Sequence, residues 1–473
     1  MPDAPMETVE TRIAAKMRAA GVSEATVAGF LDAVRRVQAG QRGLLAEADL
    51  DPVASLPRLE SLPEAGDGAA ERLAGLVVIK LNGGLGTGMG LDRAKSLVPV
   101  RGGDTFLDFI VRQVLHLRAR TGGNVPAFTL MNSAVTRPDT LEHLRRFPGL
   151  GGEGALDFLQ SMVPKLVAGT LEPVAWPADP GLEWCPPGHG DFYPSLWSSG
   201  LLDRFLARGI RYAFVSNSDN LGATVDERIL RQFAEGGLPF LMEVADRTAA
   251  DRKGGHLARS RSTGRLLLRE SAQCPGADEA AFQDVERHRF FNTNNLWIRL
   301  DRVREELDRQ GGVFPLPLIV NRKTVDPRDA RSPAVLQLES AMGAAIECFA
   351  GSAALVVPRT RFAPVKATAD LLALRSDAYQ VAGGERLELV PGRGGQPPLV
   401  DLDGAHYKVL ADFERFFPAG VPSLARCEAL TVRGPVVFAA GVVCEGRVGF
   451  DNRGGSAAGV PAGFYRDTEV VLG

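Results

Sequence analysis

The chain reads as an α/β protein that ends in a short parallel β-helix. Three observations predict this. From Val77 to about Arg375, short β-forming runs alternate with helical segments, the pattern of a sheet covered by helices. One of these runs, Val77-Val78-Ile79-Lys80-Leu81, leads straight into five glycines at positions 83, 84, 86, 88 and 90. After about Ala425, apolar residues recur every six positions. Leu430, Val436, Val442 and Val448 form one column, and Val432, Phe438, Cys444 and Phe450 form a second. A six-residue period fits short rungs stacked on one another; an ordinary β-meander is the alternative.

In chain order, two short helices come first. Val9, Ile13, Met17 and Ala20 share one helical face, and Gly21 ends the helix. Ser23 can cap the next, whose stripe is Val27, Phe30, Leu31 and Val34. An acidic stretch from Ala46 to Ala69 carries three prolines and reads as an arm lying on the next domain. Expected strands are Leu76 to Lys80, Ala127 to Asn132, Leu166 to Val167, Tyr212 to Asn217, Phe240 to Ala245, Leu266 to Glu270, Phe291 to Ile298, Ile319 to Asn321 and Ala354 to Val357. Phe106 to Arg118 is an expected helix capped by Asp104 or Thr105. Gly384 to Pro398 reads as a surface loop or hairpin. The expected division is 1–69 helical region and linker, 70–380 catalytic domain, 381–424 connecting region and 425–473 β-helix.

Composition narrows the class. Of 473 residues, 45% are hydrophobic and 23% charged, and the net charge is -3, as in a soluble globular protein. No basic run interleaved with aromatics suggests nucleic-acid binding. No apolar run approaches the ~18 residues of a membrane span, and the N-terminus lacks the pattern of a signal peptide. Five scattered cysteines without a Cys-x-x-Cys pair predict free thiols and a cytoplasmic setting.

The glycine loop is the first chemical signal. Glycines permit left-handed backbone and close approach of a ligand, so successive amides can converge on an anion. The spacing matches neither a P-loop nor Gly-x-Gly-x-x-Gly. Lys95 follows, within reach of the same phosphates. Asp219, just past the strand Tyr212 to Asn217, is placed to hold Mg²⁺ together with substrate phosphates; an Asx-turn is the plain alternative. Pro186-Pro187-Gly188-His189-Gly190-Asp191 can present amides and an imidazole to sugar or phosphate, or be a surface turn. Asn292-Thr293-Asn294-Asn295, between apolar segments, can read sugar hydroxyls. Glu243, Asp246 and Lys253-Gly254-Gly255 are candidates for a further polar rim. Arg359, Arg361 and Lys366, on a backbone stiffened by Pro358 and Pro364, look like an anion clamp. Cations and a metal, rather than a dyad or triad, are what phosphoryl or nucleotidyl transfer needs.

Together these segments resemble the eukaryotic-like UTP–glucose-1-phosphate uridylyltransferases. The matching segments run in family order. They are Leu81-Asn82-Gly83-Gly84-Leu85-Gly86-Thr87 with Met89-Gly90, Lys95-Ser96, Gln160, Gly188-His189-Gly190, Asn217-Ser218-Asp219-Asn220-Leu221-Gly222, Phe291 to Trp297, Gln337-Leu338-Glu339 with Gly343-Ala344-Ala345, and Arg361 to Lys366. The resemblance implies a Rossmann-like nucleotidyltransferase core with a mixed sheet, plus a C-terminal left-handed parallel β-helix. It implies Mg²⁺-dependent conversion of UTP and glucose 1-phosphate to UDP-glucose and pyrophosphate. Lys366 and Lys95 would be catalytic, and Asp219 would hold the metal. Leu81, Asn82, Gly83, Gly84, Lys95, Gln160, Gly188 and Asp219 would face the nucleotide. His189, Asn217, Asn292, Asn294 and Lys366 would face the sugar phosphate. The 337–345 segment would supply a helix behind the sugar side, and the β-helix is a candidate homo-oligomer surface. Two departures stand out: Asp92-Arg93-Ala94 replaces Lys-Gly-Pro before Lys95, and Gly88 replaces a usual Ser. The nearest alternative is a pyrophosphorylase for galactose or N-acetylhexosamine 1-phosphate; a sugar-nucleotide sensor would tolerate loss of Lys366 or Asp219.

Overall fold

In a computed structural model, residues 8–123, 125–150 and 156–473 are described. Helices α1 (Val9–Ala19) and α2 (Glu24–Gln38) form as expected. Ser23 caps α2 by accepting from the Thr26 N–H. The apolar stripes, with Ile13, Met17, Val27, Phe30 and Val34 buried, share a small core with Val163, Leu166, Leu318 and Leu338. The acidic arm does more than lie on the next domain, since Leu50–Pro52 pairs antiparallel with Arg259 and its neighbours as an edge strand.

The centre is a ten-stranded mixed sheet. Its main strands are β1 (Leu76–Asn82), β2 (Ala127–Asn132), β3 (Asp157–Leu159), β4 (Tyr212–Asn217), β5 (Phe240–Asp246), β6 (His256–Ser260), β7 (Phe290–Arg299) and β8 (Ala353–Val356). Strands β4, β1, β2 and β3 run parallel in that order. Strand β7 runs antiparallel to both β4 and β5, and β8 runs parallel to β5. Most of β1 is buried on both faces, which is why its sequence is a continuous apolar run rather than an alternating one. Val78, Leu130 and Phe214 face helix α3 (Phe106–Thr121), while Val77, Ile79, Ala213 and Val215 pack in the opposite core. Thr105 caps α3 in a capping box with Asp108, settling the choice between Asp104 and Thr105.

One expected helix is a strand. Gln337-Leu338-Glu339 ends the strand Ala334–Glu339, and only Met342–Glu347 turns, as a 3₁₀ helix. Val335 and Leu338, three positions apart, are buried on opposite faces of the strand, Val335 with Val174 and Val325 and Leu338 with Val163 and Leu166, a split that period-2 alternation gives and one helical face would not. At the start of the 384–398 stretch, Arg386–Leu389 pairs back on Tyr379–Ala382 as a hairpin.

The C-terminal repeats form parallel sheets. Strands β9 (Ser423–Arg433), β11 (Val442–Asn452) and β13 (Gly463–Leu472) stack in one sheet. Strands β10 (Val436–Phe438) and β12 (Ala458–Val460) pair in a second. Leu430 lies opposite Val448 and Val432 opposite Phe450, so three six-residue steps return the chain to the same face. Both apolar columns are buried. The five cysteines are free thiols. Among the described residues, no helix is long and apolar enough to cross a membrane.

Candidate active site

The carboxyl ends of β1, β2, β3 and β4 lie at one edge of the sheet, where open α/β folds bind ligands. Because β7 runs the opposite way and is longer, its first half projects past the end of β4 and brings Asn292 and Asn294 to the same edge.

On the β1–β3 side, the glycine loop and Gln160 meet. The Gln160 N–H donates to the Asn132 carbonyl at 2.7 Å, and its amide Nε2 donates to the Gly188 carbonyl at 3.1 Å. A Cβ added to Gly83 would lie 2.6 Å from Gln160 Oε1, so any larger residue would push the Gln160 amide aside. Gly83 therefore sits beside the Gln160 amide, while Gly84 next to it borders open space. Asn82 differs. Its side chain is buried and turned inward, donating to Asn132 Oδ1 at 2.8 Å and Thr140 Oγ1 at 3.0 Å. Its other amide atom, Oδ1, has no partner.

The Gly188-His189-Gly190 turn is fastened to the 339–342 segment. The Gly190 N–H donates to the Ser340 carbonyl at 2.9 Å, and the Ser340 N–H donates to the Pro187 carbonyl at 3.0 Å. Gly188 has φ +78, and a Cβ there would collide with the Ser340 carbonyl. Asp191 joins this turn to the Gln160 loop by accepting from the Ser161 N–H at 2.7 Å and from Ser195 Oγ at 2.6 Å. His189 Nδ1 accepts from the Met342 N–H at 2.8 Å, which leaves the proton on Nε2. Burial lowers its pKa to about 4. His189 is thus a fixed neutral donor at neutral pH, and not a base. The kcat of His189→Gln should follow the same pH profile as the parent between about pH 6 and 8, measured as initial rates across a buffer series.

On the β4 side, Lys95 Nζ donates to Asp219 Oδ2 at 2.7 Å. Asp219 Oδ1 is buried and has no partner. The loop after β4 is stitched to the 361–366 segment. The Val365 N–H donates to the Asp219 carbonyl at 3.2 Å, and the Ala363 N–H donates to Asn220 Oδ1 at 3.0 Å. These bonds place Lys366 next to Asp219 in the fold. The Lys366 backbone N–H donates to Asp370 at 2.7 Å, while the side chain is exposed and within electrostatic reach of Glu270. Glu270 has its pKa raised by burial, with Lys366 opposing.

The asparagines of β4 and β7 form a chain at this edge. Asn294 Nδ2 donates to Asn217 Oδ1 at 2.9 Å, and the Asn294 N–H donates to Asn292 Oδ1 at 2.9 Å. Asn294 is held at φ +60, and its side-chain Oδ1 is buried without a partner. Left-handed backbone at a non-glycine and an unpaired buried acceptor in the same residue concentrate strain at this edge.

Glu243 does not belong to a polar rim. It is fully buried, accepting from Trp297 Nε1 at 3.0 Å, Asn295 Nδ2 at 3.1 Å, and Arg361 Nε at 2.8 Å and Nη2 at 2.6 Å. Arg361 in turn accepts at its carbonyl from Asn220 and Asn295 and donates from Nη2 to the Thr224 carbonyl. The cation expected to clamp an anion instead pins the segment carrying Lys366.

The family model for UTP–glucose-1-phosphate uridylyltransferase matches residues 30–445. The chain belongs to this family. It is 41% identical over 402 residues to the Saccharomyces cerevisiae uridylyltransferase, covering 85% of this chain and 79% of that one. It is 37% identical over 458 residues to the Musa acuminata enzyme, covering 96% and 95%. Among solved structures, UDP-glucose phosphorylase from Trypanosoma brucei has a TM-score of 0.90 at 48% identity, covering 98% of this chain and 100% of that one. A UDP-glucose pyrophosphorylase mutant from Leishmania major, in complex with UDP-glucose, has a TM-score of 0.91 at 46%, covering 98% and 100%. As a uridylyltransferase, the chain converts UTP and glucose 1-phosphate to UDP-glucose and pyrophosphate. The departure at Gly88 is not imposed by crowding, since a Cβ there meets nothing within 4 Å.

Proposed function

We propose that uridylyl transfer runs at the edge where β1 to β4 end, with the nucleotide on the glycine-loop side and the sugar phosphate toward Asn217 and β7. What supports this reading is the meeting of Asp219 with Lys95 beside the Lys366 segment. The sugar phosphate is already an anion at neutral pH, so attack on the α-phosphorus needs no general base. It needs the repulsion between two anions offset. The amides of the glycine loop cradle the nucleotide phosphates. The backbone from Leu81 to Gly84 and the Gln160 amide read uracil. Lys95 leaves Asp219 to neutralise the pyrophosphate end. Lys366 bridges the sugar phosphate and the α-phosphate. His189 donates from Nε2 to a substrate oxygen, and Asn217, Asn292 and Asn294 orient the sugar phosphate.

The donor set fits Mg²⁺. Among the described residues no group of three or more His, Cys, Asp or Glu could hold a metal. Asp219 nevertheless offers a buried oxygen without a partner. One carboxylate plus substrate phosphates is a common arrangement for this ion. When bound, Mg²⁺ supplies charge stabilisation at the phosphate oxygens. Asp219→Ala should raise the Mg²⁺ concentration giving half-maximal rate and lower kcat. An unaltered titration of pyrophosphate release against Mg²⁺ would remove Asp219 from the metal role.

Four further features complete the proposal. The C-terminal parallel sheets coil as a left-handed β-helix, and residues 70–380 act as the catalytic unit. The unpaired outer edge of β13, with Phe464 and Val471 exposed, is the surface through which copies would associate. The free thiols and the phosphorylated substrates fit a cytoplasmic enzyme.

A further inference from the structure

The mechanism leaves the buried cation Lys80 unused. Lys80 sits in the middle of β1, on the face of the sheet that packs against α3, and is 2% exposed. Among the described residues its ammonium has no ion pair, although the Glu243 and Asp219 carboxylates act on it through space. Nζ donates to Ser216 Oγ at 2.7 Å and to the Ala223 carbonyl at 2.7 Å, and it lies 5.8 Å from the Phe214 ring centre. Burying a lysine without a carboxylate partner is costly, and the cost shows in its pKa. Burial first, and Arg361 second, pull that pKa down to about 7. The core on this face would be cheaper to build with Leu or Met.

The two acceptors explain the choice. Ser216 is the next-to-last residue of β4, and Ala223 closes the loop that follows. Everything between them is the segment Asn217-Ser218-Asp219-Asn220-Leu221-Gly222. The next carbonyl, Thr224, is held by Arg361 from the other side at 2.8 Å. Two buried cations therefore grip successive carbonyls at the far end of one loop, and Lys80 alone also grips its near end.

We propose that Lys80 is a positioning residue for uridylyl transfer, clamping both ends of the 217–222 loop so that Asn217 and Asp219 keep their places. The consequence for catalysis rests on the metal reading of Asp219; the clamp itself does not. Room for a test exists beside it. Lys80 lines a cavity of about 240 Å³ between β1, α3 and the 379–389 hairpin, bounded by Gln113, His116, Val225 and Gly384. An arginine at position 80 has that space to extend into and carries enough donors for both acceptors.

The experiment compares the full-length parent with Lys80→Met, Lys80→Arg and Asp219→Ala. Amide hydrogen exchange over 217–224 is measured without substrate or metal, and kcat and Mg²⁺ half-saturation are measured by pyrophosphate release. In Lys80→Met, exchange should quicken over 217–224 while α1, α2 and the C-terminal strands keep the parent's rates. Its kcat should fall roughly ten- to a hundred-fold, the scale lost when a group that orients a metal ligand is removed. Lys80→Arg should restore the protected loop and most of kcat. Exchange unchanged over 217–224 in Lys80→Met overturns the inference. So does a uniform rise in exchange with kcat unchanged, which is the mark of a merely structural lysine. If Lys80→Met frees the loop but Asp219→Ala leaves the Mg²⁺ titration unaltered, the clamp stands and the metal reading falls. If Asp219→Ala is impaired and Lys80→Met behaves as the parent, the clamp falls and the metal reading stands.

Discussion

Replacing Lys366 by alanine is expected to lower kcat for UDP-glucose synthesis by about 10²–10³-fold, the loss typical of removing one preorganised group that stabilises transition-state charge. The KM for UTP should change little, because the glycine loop and Gln160 lie on the other side of the edge. The local architecture explains why the effect falls on the rate. The backbone at Lys366 is fixed by the Asp370 carboxylate, and the neighbouring Val365 N–H is tied to the Asp219 carbonyl. The ammonium itself remains exposed at the end of a four-carbon stem. Lys95, by contrast, is already engaged by Asp219 at 2.7 Å, and in the proposed mechanism it exchanges that partner for phosphate. Steady-state rates with glucose 1-phosphate varied at saturating UTP separate the two. A variant with the parent's kcat and a raised KM for glucose 1-phosphate would make Lys366 a binding group and not one that acts on the transition state.

Much of this site is legible in the amino-acid sequence. Parallel strands buried on both faces give continuous apolar runs, and the polar residues that end them mark the ligand edge, as Asn132, Asn217 and the glycines after Asn82 do. The six-residue period after Ala425 is also readable, because the stacked parallel strands repeat the same buried positions. Orientation is harder. The family resemblance puts Asn82 at the nucleotide, yet β1 continues through it. In a strand, Val78, Lys80 and Asn82 share one face, which turns the Asn82 amide toward Asn132 and Thr140. The signal is the alternation itself, hidden because β1 is apolar on both faces. Glu243 and Arg361 are not legible as partners. They lie 118 residues apart, and only the pairing of β5 with β7 and β8 brings them together. Read locally, a carboxylate within an apolar run looks like a pocket rim, and an arginine between prolines looks like an anion clamp. Their burial is a property of the closed sheet.

That buried pair carries the second large expected effect. Arg361→Met should destabilise the protein by roughly 3–5 kcal/mol, the range for removing one partner of a buried ion pair. Glu243 would be left fully buried with only Trp297 Nε1 and Asn295 Nδ2 as donors, and the Thr224 carbonyl would lose its guanidinium donor. The carbonyl of residue 361 survives the substitution, so the bonds from Asn220 and Asn295 that hold the loop remain available. Stability and activity should therefore separate, with a large fall in the urea midpoint and a smaller fall in kcat below the unfolding transition. Adding Glu243→Leu should recover part of the lost stability, because it removes the stranded charge. Equilibrium urea unfolding of the parent, both single variants and the double variant gives the coupling directly. If the double variant is as unstable as the sum of the singles, the pair does not act as a unit. The pinning of the 361–366 segment would then rest on its backbone bonds alone.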